Sequence, residues 1–437
     1  MPKMPTHLNQ DRRHFLKTTG SLAAASTMIQ AKAFAAGSDT LRIGVIGIGS
    51  QGGHHLKQFL GMDNVEVAYV CDVDQKRLND ASAQAPNAKA VSDLRVIFDD
   101  NQIDAVSIAT PDHWHTPASL LALEAGKHVY VEKPCSHNFR EGQLLVAAAQ
   151  QHNRVVQHGT QTRSNPTFAN LMQALREGVI GDVLVARVWN IQKRKDIGKT
   201  QPSAPPDGFD YDLWVGPAKM VPYRSNCHHY NWRWWHNFGD GDMGNDGVHE
   251  LDYARWGLGV ETFPSTIAGI GGKYFFDDDQ EFPDTQTVTF EYDGPQKKQL
   301  VFEMRLWSTT YPYNVDSGVE FYGTEGKVFV SKRGKLEGFD RRNRRMDQVQ
   351  PKEPVTLAKT NHYEDFIDAI RTGRTPNAPI QTGFYSTALC NLGNVATRIG
   401  QTLRFDPTSQ QIVGVENSPQ LLSREYRADH WAIPKNV

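Results

Sequence analysis

The chain has 437 residues, which is too long for one ordinary domain, so we expect two. Hydrophobic residues make up 39% and charged residues 22% of the sequence, as is typical of a globular protein with a sizeable core. The formal net charge of −2 gives no electrostatic reason to bind nucleic acid or an anionic membrane, and we predict neither as a partner.

Residues 1–38 are predicted to be an export signal and linker. Residues 11–17 read Asp-Arg-Arg-His-Phe-Leu-Lys, close to a twin-arginine signal, although such signals usually carry Ser or Thr in place of Asp11. The alanine-rich stretch 18–29 is too short and too polar to anchor the chain in a bilayer, and residues 33–35 offer small side chains for cleavage. We therefore expect a periplasmic or otherwise exported protein without a membrane anchor. The alternative is a disordered tail with two chance arginines.

An apolar stretch of strand length, residues 41–46, leads into the Gly-x-Gly-x-x-Gly pattern of dinucleotide-binding folds. Gly47 allows the tight turn, Gly49 lets the backbone approach a pyrophosphate, and Gly52 lets the next helix pack close to the strand. The pyrophosphate would lie on the N-terminus of that helix, where free N–H groups favour an anion. The candidate cofactor-binding residues of this segment are Gly47, Gly49, Ser50, Gln51 and Gly52.

A second strand, residues 65–71, ends at Asp72, about 20 residues past the last glycine of the pattern. An acid at this position binds the ribose 2′-hydroxyl, and it favours NAD over NADP because a carboxylate repels a 2′-phosphate. Lys76 and Arg77 are near enough to weaken this preference, but we expect them to be solvated residues of the next helix. NAD is therefore the predicted cofactor, with NADP as the less favoured alternative.

Strands and helices alternate from residue 39 to residue 159. The predicted strands are 103–110, 128–131 and 154–157, and the predicted helices are 117–125 and 139–151. Repeated strand–helix units imply a parallel sheet with helices on both faces. The sequence thus predicts an α/β fold that begins with a doubly wound, NAD-binding Rossmann domain over residues 39–159.

Residues 160–437 are predicted to form a second domain of α+β type. Its strands are 184–189, 285–290, 299–304 and 327–330, and the last three follow one another with no clear helix between them. This arrangement is typical of a large, mostly antiparallel sheet with one face covered. A long loop is expected over 193–224, and helices over 363–371 and 382–399.

The aromatic segment 228–242 suits a sugar, whose C–H faces stack on rings while its hydroxyl groups require fixed polar partners. The candidate substrate residues are Trp232, Trp235, His236 and Asp246. The alternative is that the tryptophans pack the domain core.

A metal site built from His228, His229, His236 and Asp242 is conceivable, but their spacing matches no standard ligand pattern, and no metal is predicted. The four cysteines, Cys71, Cys135, Cys227 and Cys390, match no zinc motif either, and no disulfide can be assigned.

Residues 131–134 read Val-Glu-Lys-Pro and directly follow a buried strand, about 80 residues after the glycine pattern. Together with that pattern they resemble the Gfo/Idh/MocA family of glucose–fructose oxidoreductases, inositol dehydrogenases and their relatives. The resemblance covers nearly the whole mature chain, and residues 244–249 look most like its large exported subgroup. Further matching positions are Thr110-Pro111 with His115, the segment 163–166, the segment 178–183 and the helical pair after His362.

The resemblance implies roles for residues of the site. The lysine of Glu-Lys-Pro, here Lys133, would approach the substrate hydroxyl near the nicotinamide, lower the pKa of a catalytic histidine and donate a hydrogen bond to the reacting oxygen. The histidine position of the family is matched by His249. Cofactor-binding residues added by the resemblance are Thr110, Pro111, His115, Glu132, Lys133 and Arg163.

The chain departs from the family four residues before the histidine. The family has an Asp-x-x-x-His pair on one helix face, whereas this chain has Asn245, and the neighbouring Asp246 would point elsewhere on an α-helix. A carboxylate raises the pKa of the histidine and sets its tautomer, but an amide can only form a hydrogen bond. The departure leaves open whether the reaction is a simple alcohol oxidation. On the same helix, Asp252 and Arg255 are interpreted as an ion pair.

Little free NAD is available outside the cytoplasm, so an exported enzyme of this kind must restore its bound cofactor within each cycle. The first hypothesis is an exported NAD(P)-dependent oxidoreductase that acts on the CH–OH group of a carbohydrate, with His249 as the base and Lys133 as its partner. The alternatives are a redox-neutral glycosidase or epimerase that oxidises the sugar transiently, and an inactive sugar-binding relative. The resemblance also implies a homo-oligomer.

Overall fold

A computed structural model describes residues 40–437, and the predicted export signal lies outside these residues. Six parallel strands form the first sheet in the order β3-β2-β1-β4-β5-β6, the strand order of a Rossmann fold. The strands are β1 (Leu41–Ile46), β2 (Val65–Cys71), β3 (Lys89–Val91), β4 (Ala105–Ile108), β5 (His128–Val131) and β6 (Val156–His158). The helices between them are α1 (Ser50–Leu60), α2 (Gln75–Gln84), α3 (Arg95–Asp99), α4 (Asp112–Glu124) and α5 (Phe139–His152). The prediction of a doubly wound parallel sheet is confirmed.

Helix α4 begins earlier than the sequence indicated. The prediction placed its start at Pro117, but the helix begins at Asp112 and carries Pro117 in its interior. The extra turn is buried and is held by tertiary contacts, because the ring nitrogens of His113 and His115 lie 2.9 and 2.6 Å from the carbonyl oxygens of Trp214 and Pro134. These partners are distant in sequence, so local patterns did not reveal them.

The second sheet has nine strands in the order β13-β12-β11-β7-β10-β9-β8-β14-β15. Strands β7 and β10 pair in parallel and the other neighbours pair antiparallel, which confirms a mostly antiparallel sheet. The strands are β7 (Val183–Asn190), β8 (Thr266–Gly272), β9 (Thr285–Tyr292), β10 (Lys298–Arg305), β11 (Ser317–Gly323), β12 (Gly326–Val330), β13 (Leu336–Asp340), β14 (Leu403–Asp406) and β15 (Gln411–Val413). The helices of this half are α6 (Pro166–Arg176), α7 (Tyr211–Val215), α8 (Val248–Leu258), α9 (His362–Thr372), α10 (Ile380–Ile399) and α11 (Ser418–Leu421).

One face of the nine-stranded sheet is covered by α8 and α10. Alternate residues of β9, such as Val288 and Phe290, are buried against these helices, whereas Thr287 is exposed. This period of two is the reason that the segment forms a strand with one covered face. Helix α8 therefore lies against the covered face of the nine-stranded sheet.

Later parts of the chain return to the first sheet. Helix α9 packs in the core beside β1, and its Tyr363 stacks on Tyr130 of β5 with ring centroids 5.2 Å apart. Near the C-terminus, Arg424 pairs with Glu141 of α5 at 2.7 Å. Segments from the second half of the chain therefore pack against the six-stranded sheet and its helices.

The four cysteines are all buried, and none forms a disulfide. Burial raises the pKa of both Cys135 and Cys227 to about 12, so these thiols are unreactive at neutral pH. Among residues 40–437, no helix combines the length and apolar character needed to cross a membrane.

Candidate active site

A cavity of about 390 Å³ opens beyond the carboxyl ends of the parallel strands. The strand order reverses between β1 and β4, and open α/β sheets bind ligands at such a point. The predicted site residues that line the cavity are Gly47, Gly49, Ser50, Gln51, Asp72, Thr110, Pro111, His115, Glu132, Lys133, Trp232 and Asn245. Most of the predicted cofactor site and part of the predicted substrate site therefore share one cavity.

The glycine pattern lies in the turn between β1 and α1. Gly47 has a φ of +80°, and a Cβ there would lie 2.8 Å from the backbone of Ala109 and Thr110. Gly52 does not line the cavity, but a Cβ on it would lie 1.7 Å from the carbonyl oxygen of Gly47. Each of these positions therefore requires glycine.

The N-terminus of α1 faces the cavity without a side chain to neutralise it. Gly49 is the N-cap and supplies no side-chain hydrogen bond, and the first turn of α1 contains no acidic residue. Free backbone N–H groups at the positive end of a helix favour an anion. This part of the cavity fits the pyrophosphate of a dinucleotide.

Asp72 stands at the end of β2, is 8% exposed and lines the cavity. It accepts hydrogen bonds from the backbone N–H groups of Ile48 at 2.7 Å and Asp74 at 3.0 Å. Burial raises the pKa of Asp72, and these bonds and the charge of Arg77 oppose the rise. Arg77 is half-buried on α2 and also lines the cavity, whereas Lys76 is exposed.

Glu132 lines the cavity and accepts hydrogen bonds from several side chains. Its Oε1 accepts hydrogen bonds from the amides of Gln51 at 3.0 Å and Gln161 at 3.1 Å, and it lies 3.0 Å from Nε2 of His55. Burial works against ionisation, but the hydrogen bond from His55 and the charges of His55 and Lys133 lower the pKa of Glu132 to about 2. The carboxylate thus positions Gln51 at the edge of the cavity.

Lys133 follows Glu132 and reaches across to the second half of the molecule. Its Nζ donates a short hydrogen bond to the carbonyl oxygen of Asn245. Burial lowers the pKa of Lys133, while the charges of Glu132 and Asp246 oppose that effect. The ammonium group is therefore fixed at the junction of the two sheets.

The segment around Asn245 is not the α-helix that the sequence suggested. Residues Met243–Gly247 form a π-helical turn, and α8 starts only at Val248. Because a π turn contains more residues than an α turn, the four-residue spacing does not align Asn245 with His249. The amide of Asn245 donates instead to Asp242 at 2.8 Å. The expected Asn245–His249 pair is therefore replaced by backbone contact with Lys133.

His249 lies at the start of α8, is 7% exposed and does not line the cavity. Burial lowers its pKa well below the usual value, and the charges of Lys332 and Lys133 lower it further. Its Nδ1 is buried with no hydrogen-bond partner within residues 40–437. The ring is neutral at neutral pH and retains an unused nitrogen.

Asp246 also lies away from the cavity wall. It accepts hydrogen bonds from Gln192 at 2.6 Å and from Lys332 at 2.8 Å. Lys332, in the turn between β12 and β13, had no signal in the sequence because only the strand pairing brings it to this place. Asp246 therefore belongs to a supporting polar network next to His249.

The aromatic segment divides between the cavity and the core. Trp232 and Trp235 both pack against one apolar cluster, but only Trp232 also lines the cavity. The ring of His236 packs on Phe282, with ring centroids 4.1 Å apart. Trp235, His236 and Asp246 were predicted to contact the substrate, but they do not line this cavity.

The four conceivable metal ligands have separate partners. Nδ1 of His228 lies 2.8 Å from the hydroxyl of Tyr223, and Nε2 of His229 lies 2.7 Å from Asp74. Asp242 pairs with Arg194 through two hydrogen bonds of 3.0 Å. In the part of the chain from Thr40 onward, no group of three or more His, Cys, Asp or Glu side chains is arranged to hold a metal ion.

Arg163 does not line the cavity, so its predicted contact with the cofactor is not present there. It forms a buried ion pair with Asp252 through hydrogen bonds of 2.8 and 3.0 Å and lies over the ring of Trp256. The predicted ion pair between Asp252 and Arg255 does not form, because Arg255 donates to the carbonyl oxygen of Val260 at 2.6 Å. The correct partner of Asp252 is separated from it by 89 residues, which local spacing cannot show.

Several cavity residues were missed by the sequence reasoning. Asp112 immediately follows Thr110-Pro111 and could have been found from that motif; it accepts the backbone N–H of Asp240 at 3.2 Å. Burial raises the pKa of Asp112 to about 7, although the charges of Lys133 and Arg233 oppose this. The other missed residues include Ser92, Asp93, Leu94, Trp114, Leu213, Trp214, His229, Tyr230, Arg233 and Trp431.

Comparisons with known proteins agree with this architecture. The model of the oxidoreductase family with an NAD-binding Rossmann fold matches residues 41–160, and the model of its C-terminal alpha/beta domain matches residues 187–433. Inositol 2-dehydrogenase 2 of Saccharopolyspora erythraea is 29% identical over 372 residues, which are 82% of this chain and 94% of that protein.

One further protein is similar over part of its sequence, and one solved structure is similar in fold. A glycosyl hydrolase family 109 protein of Shewanella pealeana is 29% identical over 205 residues, or 40% of this chain and 44% of that protein, so this chain spans less than half of its length. The crystal structure of aldose-aldose oxidoreductase from Caulobacter crescentus, complexed with glycerol, superposes with a TM-score of 0.64 at 17% identity, covering 84% of this chain and 100% of that chain. At this identity the likeness concerns the fold alone.

The family matches cover both sheets, and the cavity presents the glycine turn, the acid after β2 and the Glu-Lys-Pro lysine at one place. The chain therefore belongs to the Gfo/Idh/MocA family of oxidoreductases, and its cofactor is NAD.

Proposed function

We propose that the protein oxidises a CH–OH group of a sugar or sugar derivative by hydride transfer to NAD. The observation that carries this proposal is one cavity lined by Gly49 and Asp72 of the predicted cofactor site together with Lys133, Trp232 and Asn245. The similarity to an inositol 2-dehydrogenase over 82% of the chain supports a polyhydroxylated substrate.

When bound, NAD supplies the hydride acceptor. Lys133 has the position and the protons to donate a hydrogen bond to the substrate hydroxyl, with its ammonium held against the carbonyl oxygen of Asn245. The neighbouring His249 is neutral because burial and two lysine charges lower its pKa. It is proposed as the base that accepts the hydroxyl proton, and because it does not line the cavity, this step requires the ring to be brought into contact with the substrate. Trp232 offers an apolar ring for the C–H face of a sugar.

The test begins with the purified protein and a panel of aldoses, inositols and anhydrosugars, with NADH formation followed at its absorbance maximum. The Lys133→Met variant is expected to lose about 100-fold or more in kcat because it removes the proton-donating group from the reacting oxygen. Lys76→Met, at an exposed lysine paired with Asp80, is the matched control. Failure of every sugar to reduce NAD, in a protein that binds NADH, would refute the proposed oxidation.

A second candidate is a redox-neutral glycosidase or epimerase in which oxidation of the sugar is transient. The similarity of 205 residues to a glycosyl hydrolase family 109 protein favours this candidate. Transient oxidation acidifies the neighbouring C–H bond, so deuterium from D2O would enter the product without net formation of NADH. Proton NMR of the product therefore separates the two reactions.

We further propose export by the twin-arginine route and assembly into a homo-oligomer. The Arg-Arg pair at residues 12–13 supports export, and replacement of both by Lys should retain the protein in the cytoplasmic fraction.

An interface between copies is supported by three exposed apolar residues in and directly after β8. These are Ile270, Tyr274 and Phe275, with exposures of 76, 68 and 64%. Light scattering on the wild-type protein and on Ile270→Glu measures the assembly.

A further inference from the structure

Arg233 is a buried cation that forms no ion pair with any carboxylate of the described residues. Its side chain is only 8% exposed and lines the cavity. Among residues 40–437 it takes part in no salt bridge, and its Nε and Nη1 are buried without a hydrogen-bond partner. Leaving a buried charged donor unsatisfied is costly, which indicates that a ligand completes the arrangement.

The surrounding rings hold the guanidinium in place without using its N–H groups. Its central carbon lies 3.8 Å from the ring centroid of Tyr230, 4.9 Å from that of Trp232 and 5.8 Å from that of Trp234. Cation–π contacts act on the face of the guanidinium and leave its edges available for hydrogen bonds. The arrangement fixes the orientation of a buried guanidinium whose Nε and Nη1 have no hydrogen-bond partner among residues 40–437.

Neighbouring carboxylates do not satisfy Arg233. Asp242 is engaged by Arg194 through two hydrogen bonds of 3.0 Å, and Asp112 accepts from the backbone of Asp240. The charges of both carboxylates raise the pKa of Arg233, but burial outweighs them and lowers it below the usual value. Within the part of the chain that the structure describes, Lys332 pairs with Asp246 at 2.8 Å and Arg194 pairs with Asp242, whereas Arg233 forms no ion pair.

The position of Arg233 points to the substrate rather than to the dinucleotide phosphates. Arg233 is an electrostatic neighbour of Lys133 and Asp112, at the end of the cavity where the reacting hydroxyl is proposed. The site that fits the pyrophosphate is the N-terminus of α1 at Gly49, where Arg77 is the neighbouring cation. A single guanidinium matches the single charge of a carboxylate.

We propose that Arg233 binds a carboxylate of the substrate, and that the preferred substrates are sugar acids such as hexuronates rather than neutral sugars. This inference rests on the proposed function, since it names the substrate class of the same site. An oxyanion could also come from a phosphate ester, and the experiment separates that source from a carboxylate.

The first measurement is binding, which does not depend on turnover. The protein is filled with NADH, and quenching of tryptophan fluorescence is titrated with glucuronate, galacturonate, glucose, galactose and glucose 6-phosphate. We expect at least one uronate to bind at least tenfold more tightly than its parent aldose and than the phosphate ester. Arg233→Gln should remove this preference, and Arg233→Lys should restore part of it because the charge returns without the planar donors.

The second measurement is the ratio of kcat/KM for a uronate to kcat/KM for the parent aldose, with NAD saturating. Arg233→Gln is expected to lower this ratio about 10- to 100-fold, while the Kd for NADH changes less than twofold. The unchanged NADH affinity also shows that the variant is folded. Arg77→Gln, which removes a cation from the other end of the cavity, is the matched control and should change the NADH affinity rather than the ratio.

The outcomes separate the inference from the proposed function. Arg233-dependent binding of a uronate without NADH formation would support the inference and refute the oxidation. Oxidation of neutral aldoses with no preference for acids, or a preference unchanged in Arg233→Gln, would overturn the inference alone. Tighter binding of the phosphate ester through Arg233, or a large loss of NADH affinity in Arg233→Gln, would also overturn it.

Discussion

Gly52→Ala tests the structural basis of cofactor binding at one atom. The added Cβ would lie 1.7 Å from the carbonyl oxygen of Gly47, a backbone atom in the turn that faces the cavity. Ordinary carbon–oxygen contacts are roughly twice that long, so the turn or α1 must shift by more than an ångström. Such a shift displaces the N-terminal N–H groups of α1 from the position that fits the pyrophosphate.

The neighbouring glycine provides a matched control in the same helix. A Cβ on Gly53 would meet no atom within 4 Å. Gly53→Ala should therefore stabilise the protein by about 0.5–1 kcal/mol through helix propensity alone and leave NADH binding unchanged. Gly52→Ala gains the same helix propensity, but overpacking against the turn destabilises the protein by about 1–3 kcal/mol, so the variant is less stable overall.

Isothermal titration calorimetry measures the affinity for NADH. Urea unfolding followed by circular dichroism measures the free energy of unfolding. We expect Gly52→Ala to weaken NADH binding at least about tenfold, which corresponds to ~1.4 kcal/mol, and Gly53→Ala to change it less than twofold. Equal NADH affinity in the two variants would show that close packing of α1 on the turn is not what positions the cofactor.

Three other predictions concern buried charges. Asp252→Ala leaves Arg163 buried without its counter-charge and should lower the free energy of unfolding by about 3–5 kcal/mol in urea denaturation; a loss below 1 kcal/mol would contradict the pairing. Because burial and two cations lower the pKa of His249, the histidine limb of the pH profile of kcat/KM should lie well below pH 6.5, and Lys332→Met should move it upward; an unmoved limb would exclude this electrostatic effect. Burial raises the pKa of Asp112 from 3.8 to about 7, so its protonation favours the folded state at low pH, and this contribution, at most about 4 kcal/mol, is lost as the pH rises through 7. Asp112→Asn should therefore show a smaller fall in Tm between pH 5 and pH 8 than the wild-type protein, and an identical fall would contradict the assignment.

Local signals in the sequence predicted most of the candidate cofactor residues that line the cavity. The glycine turn, Asp72 and Glu132-Lys133 all stand directly after buried parallel strands, and the carboxyl ends of such strands meet at one edge of the sheet. Neighbours in sequence therefore became neighbours in the cavity, and these residues could be predicted without the structure.

The substrate half was predicted only in part because its geometry depends on long-range packing. The π turn at Met243–Gly247 altered the spacing between Asn245 and His249, and a one-residue change in a turn cannot be seen in a residue pattern. Arg163 was assigned to the cofactor from a family position, but it is neutralised by Asp252, which is 89 residues away.

The sequence by itself determined the strand–helix alternation, the family and the dinucleotide cofactor, because these follow from short motifs whose geometry is local. The tertiary structure decided which charges are paired and which are left free. Lys332 reaches Asp246 through strand pairing, and Arg233 lines the cavity without a carboxylate partner among residues 40–437. Ion pairs are formed by side chains that folding brings together from distant elements, so no local pattern could have shown which buried cation lacks a counter-charge among the described residues.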